Sequence, residues 1–282
     1  MPTSLTLPIA LIAFAANSFF CRFALAEGSI DPGSFTLIRL VSGAITLSII
    51  LLFRRQLESS FFKSRLSWWS GIALFGYAVS FSFAYTQLST GTGALILFGM
   101  VQLTLVAFHV WSGNRLKSAE WFGIAIAISG FVILMLPSAQ APSLSSAALM
   151  IISGVFWAVF TLLGRKSGVA SVAITHGFVL ASVLALAVSP WLMSIDSITL
   201  QGMVWALLSG IFASGFGYVL WYQVMKHISV LQASVAQLAV PVIAFAAGSI
   251  GLGEPITLTA VVSSLLVLGG IGVIFVAKGS DK

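Results

Sequence analysis

Ten long apolar segments, separated by short polar stretches, dominate this sequence and limit what it can fold into. An α-helix needs about 20 mostly apolar residues to cross a bilayer, and the segments have about this length. Charged residues make up 7% of the chain, whereas a water-soluble domain carries about 25%. We therefore predict an all-α polytopic membrane protein with ten transmembrane helices near residues 5–26, 33–53, 69–88, 92–112, 121–137, 145–163, 172–193, 200–222, 230–252 and 257–277.

The positions of the basic residues predict how these helices are oriented. Of thirteen Lys and Arg residues, only Arg22 and Arg39 lie inside predicted segments. With ten segments, the other eleven fall on one side of the membrane, which is typical of the cytoplasmic side. We predict that both termini are cytoplasmic and that the loops near 27–31, 139–143 and 196–199 are periplasmic. The eleven residues are Arg54, Arg55, Lys63, Arg65, Arg115, Lys117, Arg165, Lys166, Lys226, Lys278 and Lys282.

A stretch near the C-terminus carries a family resemblance. The run ISVLQASVAQLAVPVIAFAAGSIGLGEP has small residues, then Pro241 in the middle of an apolar segment, then a closing Gly-Glu-Pro turn. It resembles the penultimate helix of the EamA-type drug/metabolite transporters, and most of all the YddG-type exporters of amino acids. The resemblance implies two inverted five-helix repeats, at 1–137 and 145–282, around a central cavity. It also implies a multi-pass protein of the bacterial inner (plasma) membrane.

A shift of 140 residues supports an internal repeat. It lays Gly113 on Gly253, Ala107 on Ala247 and Gly130 on Gly270. Because each half has five helices, the two halves begin on opposite sides of the membrane. Inverted repeats of this kind are typical of secondary transporters, which place the substrate site where the repeats meet.

Aromatic residues at helical spacing are candidates for the cavity wall. Tyr77, Phe81 and Tyr85 recur every four residues and share one face of the third helix. Tyr218 lies on a similar face of the eighth helix, with Trp221 beside it. The alternative for such aromatics is packing or an interfacial belt.

Polar residues inside apolar helices complete the candidate site, because they usually face the bundle or a wet cavity. The alternative is hydrogen bonding between helices. Trp157 resembles a residue near the start of the family's repeats, and Asn17 occupies the corresponding place in the first half. The predicted substrate-binding residues are Asn17, Tyr77, Phe81, Gln102, Trp157, Tyr218 and Gln237.

Arg39 resembles an arginine found in the second helix of this family. It could hold a substrate carboxylate, or it could extend to the outer surface or pair with Glu27, Asp31 or Glu254. We favour the second interpretation at this point. None of the seven Asp and Glu residues falls near the middle of a predicted segment, so we predict transport that does not depend on a buried carboxylate.

The resemblance implies a secondary transporter that exports small amphipathic metabolites, amino acids including aromatic ones, by alternating access. The alternatives are an integral membrane acyl or phosphoryl transferase and a non-transporting membrane scaffold. The sequence has no Walker-type loop and no His/Cys/Asp cluster at metal-ligand spacing. We predict no catalytic residue, cofactor, metal or nucleic-acid partner. The predicted partners are a small-molecule substrate and the lipid bilayer, and Pro241 is predicted to act as a gating hinge. The oligomeric state is left open, with a monomer as one option.

Overall fold

The computed structural model describes residues 3–54, 65–113, 115–136, 142–165, 170–194, 198–225, 227–228 and 236–279. These residues form helices and loops and contain no strand. Within these described ranges, eight helical spans are long and apolar enough to cross a membrane, and Ala239–Leu252 is a shorter apolar helix. The expectation of an all-helical, multi-span membrane protein is confirmed. The helices are α1 Thr3–Ala26, α2 Pro32–Phe53, α3 Arg65–Tyr85, α4 Thr90–Trp111, α5 Ser118–Met135, α6 Leu144–Arg165, α7 Ala170–Leu192, α8 Leu200–Met225, α9 Ala239–Leu252 and α10 Leu258–Gly279.

Short polar side chains begin several helices, because the first N–H groups of a helix lack partners within it. Asp31 accepts a hydrogen bond from the Ser34 amide at the start of α2, where Pro32 occupies the first turn. Ser89 caps α4 and Thr199 caps α8 in the same way. These caps set where each helix enters the apolar part of the bundle.

The loops separate into two ends of the bundle. The Lys117 ammonium donates to the carbonyl oxygen of Ala277 at 3.3 Å, which brings the start of α5 beside the end of α10. At the other end, Thr199 Oγ1 donates to the Ser29 carbonyl oxygen at 2.8 Å. We call these the basic end, which carries Arg54, Arg65, Arg115 and Lys117, and the acidic end, which carries Glu27, Asp31 and Glu254.

Helix packing joins the first five helices to the last five. α5 packs along α10, α2 along α7, and α4 against α9. α3 packs against α6 and α7, while α8 packs against α1 and α2. α4 also contacts α6, and α1 contacts α9. The bundle is therefore built largely from contacts between its two halves of sequence.

Small residues let α5 and α10 approach closely. A Cβ on Gly270 would lie 2.5 Å from the carbonyl oxygen of Gly123 and 2.6 Å from the amide nitrogen of Ala127. Within a bilayer, helices associate by such close backbone packing, because lipid gives no hydrophobic gain for their contact.

Helical structure is broken once close to Pro241. Ala236 and Gln237 are helical, Leu238 is a turn residue, and α9 then begins at Ala239 with Pro241 as its third residue. A proline lacks the N–H that would bond the carbonyl oxygen four residues earlier, here that of Gln237, and so favours a break at this point. Part of the predicted segment, residues 229–235, lies outside the described residues.

Candidate functional site

A small cavity lies in the middle of the bundle, between α1, α3, α4, α6, α7 and α8. Its volume of about 10 Å³ is about what one water molecule needs. Four of the predicted substrate-binding residues line it: Asn17, Tyr77, Trp157 and Tyr218. The lining is completed by Phe14, Ser18, Leu97, Phe98, Phe178, Ala213 and Ser214.

A chain of hydrogen bonds crosses the cavity wall and links four helices. Ser209 Oγ donates to Asn17 Oδ1 at 2.6 Å, and Asn17 Nδ2 donates to the Tyr77 hydroxyl at 3.1 Å. Ser153 Oγ on α6 donates to the carbonyl oxygen of Tyr77 at 3.1 Å. Asn17 therefore uses both ends of its amide to join α1 to α3 and α8.

Aromatic rings close the remaining sides of the cavity. The Trp157 ring lies 4.5 Å from the Tyr77 ring in an edge arrangement and is stacked 5.5 Å from the Tyr218 ring. Phe14 meets the Tyr218 ring edge-on at 5.8 Å, and Phe178 does so at 5.7 Å. These edge and stacked arrangements are the favoured ones for aromatic pairs. Together they leave the site closed in this conformation.

A π-helical segment shapes one wall of the site. α8 is α-helical over Leu200–Leu208 and Gly217–Met225, and π-helical over Ser209–Phe216 between them. Its wider turn places Ser209 beside Asn17 and puts Ala213 and Ser214 in the cavity lining. Such segments often occur at functional sites, but nothing in the sequence pattern of α8 predicted this one.

Arg39 does not extend to the outer surface, and this corrects the interpretation that the sequence favoured. Arg39 is only 1% exposed. Its guanidinium carbon lies 5.1 Å from the centre of the Tyr77 ring and 5.0 Å from the centre of the Phe81 ring. The guanidinium is therefore held by cation–π contacts inside the bundle. Of the alternatives left open for Trp221, packing is observed: it is buried, with its ring 5.5 Å from that of Phe14.

Three predicted site residues lie outside the cavity lining. Phe81 packs behind Tyr77, with their ring centres 5.3 Å apart. Gln102 Nε2 donates to Gln237 Oε1 at 3.3 Å and so joins α4 to the residues just before α9. Contact with substrate stays a prediction for these three side chains and for the four that line the cavity.

A larger open cavity, which we call the vestibule, lies at the acidic end and has a volume of about 480 Å³. Arg22 Nε donates to Glu254 Oε1 at 3.1 Å along one side of it. Arg22 Nη1 donates to the carbonyl oxygens of Tyr85 and Thr86, and Glu254 Oε2 accepts from the Thr90 amide at 2.8 Å. This cluster ties the ends of α1 and α3 and the start of α4 to the turn after α9. The sequence analysis did not pair Arg22 with Glu254, because 232 residues separate them.

The part of the chain that the structure describes contains no group of three or more His, Cys, Asp or Glu side chains placed to hold a metal ion. Its acidic side chains instead serve helix ends. For example, Glu120 accepts from the Lys117 amide at 2.7 Å at the start of α5.

Comparison with known proteins supports the interpretation that this chain is a membrane transporter. A protein of Pseudomonas aeruginosa described as uncharacterized is 42% identical over 98% of this chain and 95% of its own. A transporter of Archaeoglobus fulgidus, also described as uncharacterized, is 26% identical over 93% of each chain. A probable terminal-alkyne amino-acid exporter of Streptantibioticus cattleyicolor is 24% identical over 69% of this chain and 67% of its own.

A solved crystal structure with 20% identity matches the fold with a TM-score of 0.66, covering 95% of this chain and 97% of the other. The family and the names of the relatives point to a transporter rather than an enzyme. The EamA-like transporter family matches the sequence twice, at residues 2–136 and 144–276. The chain therefore belongs to the EamA-like transporter family.

Proposed function

We propose that this protein is a secondary transporter that exports small amphipathic metabolites, above all amino acids with apolar or aromatic side chains, by alternating access. The observation that carries the proposal is the composition of the central cavity. Aromatic planes face a chain of polar atoms there, in a cavity that is closed in this conformation. A ligand with an apolar group and a polar head suits such a wall, since binding sites are mostly apolar with a few polar groups that fix orientation.

The contrast between the two cavities supports alternating access. The central cavity has room for about one water molecule, while the vestibule at the acidic end is open. A substrate reaches a closed central site only after the helices around it rearrange. The Arg22–Glu254 pair spans the parts of the bundle that must separate at the acidic end.

We also propose that residues 1–137 and 145–282 are inverted repeats. The helix contacts support this arrangement, because exchanging α1–α5 with α6–α10 turns each major contact between the halves into another: α3 with α6 becomes α8 with α1, and α4 with α6 becomes α9 with α1. The two family matches cover almost the same two ranges. The basic end then faces the cytoplasm of a bacterial cell, with both termini, by the positive-inside rule.

Counterflow into proteoliposomes tests the function. The purified full-length protein is reconstituted with an excess of unlabelled amino acid inside, and entry of labelled L-phenylalanine, L-leucine, glycine or phenethylamine is followed. We expect labelled phenylalanine and leucine to accumulate transiently with the protein and not in empty liposomes. Equal traces with and without protein, for every amino acid in the panel, would reject amino-acid transport.

A further inference from the structure

Arg39 is the least satisfied polar side chain near the central cavity. It is 1% exposed, and its Nε and Nη1 atoms have no hydrogen-bond partner among the described residues. Burying a donor without an acceptor costs about 1–3 kcal/mol, and more when the group is charged. Charged side chains inside a membrane bundle mark substrate or ion sites by default.

The two aromatic rings beside Arg39 stabilise its charge but leave Nε and Nη1 without an acceptor in the part of the chain that the structure describes. Tyr77 and Phe81 lie 5.1 and 5.0 Å from its guanidinium carbon. A ring face attracts a cation through its quadrupole, yet it offers no oxygen for the planar fork of N–H groups. That fork matches the two oxygens of a carboxylate.

The carboxylates of the described residues are committed to the ends of helices. Glu254 binds Arg22 and the Thr90 amide, and Glu120 accepts from the Lys117 amide. Glu27 accepts from Gln201 Nε2 at 3.0 Å, and Asp31 caps α2. In this arrangement none of them supplies the oxygens that Nε and Nη1 of Arg39 lack.

Arg39 and the cavity lie at the same depth and share one residue. An α-helix rises about 1.5 Å per residue, which gives the distance of each side chain from the end of its own helix. Arg39 lies about 10 Å from the start of α2, Asn17 about 13 Å from the end of α1, and Tyr77 about 12 Å from the end of α3. All three helix ends belong to the acidic end of the bundle. Tyr77 borders both features, because it lines the cavity and also contacts the guanidinium.

From this geometry we propose that Arg39 binds the carboxylate of the substrate when the cavity opens. The inference rests on the proposed function and specifies its substrate class as amphipathic carboxylates. With the cavity closed, the Tyr77 and Phe81 rings hold the guanidinium. With the cavity open, displacement of Tyr77 brings Nε and Nη1 within reach of a carboxylate whose apolar group lies against Trp157 and Tyr218.

The test uses two probes with the same ring and opposite charge, phenylacetate and phenethylamine. Thermal unfolding of the purified full-length protein in detergent is measured against the concentration of each. We expect phenylacetate to raise the unfolding temperature saturably and phenethylamine to leave it unchanged. In Arg39→Gln, the affinity for phenylacetate should fall about tenfold to a hundredfold, as expected for hydrogen bonds to a charged group.

Arg39→Lys keeps the positive charge but lacks the planar fork of N–H groups. Its affinity for phenylacetate should be intermediate between that of the parent protein and that of Arg39→Gln. If Arg39→Gln does not stay monodisperse, Arg39→Lys decides alone, and an unchanged affinity overturns the proposal. Equal stabilisation of the parent by both probes also overturns it. Arg22→Gln, which removes a charge at the vestibule, should keep the preference for phenylacetate.

The two proposals fail in different ways. Phenylacetate binding that depends on Arg39, without counterflow of any amino acid, rejects amino-acid transport and leaves the carboxylate site standing. Counterflow of phenylalanine by Arg39→Gln with the affinity of the parent protein rejects the carboxylate site and leaves the transport function standing.

Discussion

The first five helices and the last five contribute different chemistry to the same cavity. Asn17 and Tyr77 come from the first half and bring an amide and a hydroxyl, with the Arg39 charge against the Tyr77 ring. Trp157 and Tyr218 come from the second half and bring stacked aromatic planes. A shift of 140 residues places Asn17 on Trp157, so corresponding positions in the two halves carry a polar and an apolar wall of one site.

The helix ends show where the two halves stay alike. Gly113 after α4 and Gly253 after α9 both have positive φ, at 88° and 64°, and the same shift superposes them. Glycine adopts this conformation without the penalty that a Cβ imposes. The interiors differ: α4 is continuous over Thr90–Trp111, whereas α9 begins at Ala239. The two halves are therefore alike at these helix ends and differ inside the helices.

The largest test of this difference is Trp157→Ala, which removes the centre of the aromatic wall. Trp157 is 8% exposed and contacts Phe14, Tyr77 and Tyr218. We expect a loss of about 3–5 kcal/mol of unfolding free energy, typical of truncating a buried tryptophan. Reversible unfolding in mixed micelles measures this loss. Trp111→Ala is the matched control, because Trp111 is 89% exposed at the end of α4. An equal loss of unfolding free energy in both variants would contradict the placement of Trp157 at the centre of the aromatic wall.

The second test concerns the packing of α5 on α10, where the two halves meet. Gly270→Val places side-chain atoms against the backbone of Gly123 and Ala127. We expect a loss of about 1–3 kcal/mol or more, because backbone gives way less readily than side chains. Gly269→Val introduces the same residue one position earlier, where a Cβ meets no atom within 4 Å. Similar melting temperatures for the two variants would show that this contact does not join the halves.

A smaller effect is expected at the vestibule, where Glu254 of the second half binds Arg22 of the first. Glu254→Gln removes the charge attraction, which for a partly exposed pair is worth about 1 kcal/mol or less. The acidic end should then open more often. Cys21, the one cysteine of the sequence, lies next to Arg22 and is fully buried, so the rate of its modification by a water-soluble maleimide reports the opening.

We expect faster labelling of Cys21 in Glu254→Gln and substantial remaining transport. Glu27→Gln is the control, since Glu27 lies at the same end but binds Gln201 outside the vestibule. If both variants label Cys21 at the rate of the parent, the ion pair does not hold this end closed.

The smallest effect on stability is expected for Pro241→Ala, which sharpens the contrast between α9 and α4. A proline in the first turn is replaced with a change of about 1 kcal/mol or less. If the interruption at Leu238 is a hinge, the variant should slow counterflow while leaving probe affinity unchanged, because a hinge governs interconversion more than contacts. Val101→Ala, at the corresponding position of α4, should affect counterflow little. If Pro241→Ala shows counterflow at the rate of the parent protein, Pro241 is not a hinge and serves only in packing.

The sequence predicted the helices well, because apolar length depends on local composition alone. It also predicted that Asn17, Tyr77, Trp157 and Tyr218 would lie at a common site. It missed Phe14 and Phe178, since an aromatic residue on an apolar helix looks the same whether it faces lipid or the cavity.

The partners of Arg22 and Arg39 were missed for a related reason. The Arg22–Glu254 pair depends on how α1 meets the turn after α9, and the Arg39 contacts depend on how α2 meets α3. Such contacts follow from the three-dimensional packing and have no signature in either segment alone. Composition also gave no sign of the π-helical turn in α8.

The π-helical segment also sets the rotational phase of everything that follows it in α8. Its wider turn accommodates residues that a regular α-helix would carry further around the axis. If the same eight residues adopted regular α-helical geometry, with about 100° of rotation per residue, they would carry the remainder of α8 further around the helix axis. Tyr218 and Trp221 would then point away from Phe14. The aromatic wall of the cavity therefore depends on the wide turns of this segment as well as on the residues that form the wall.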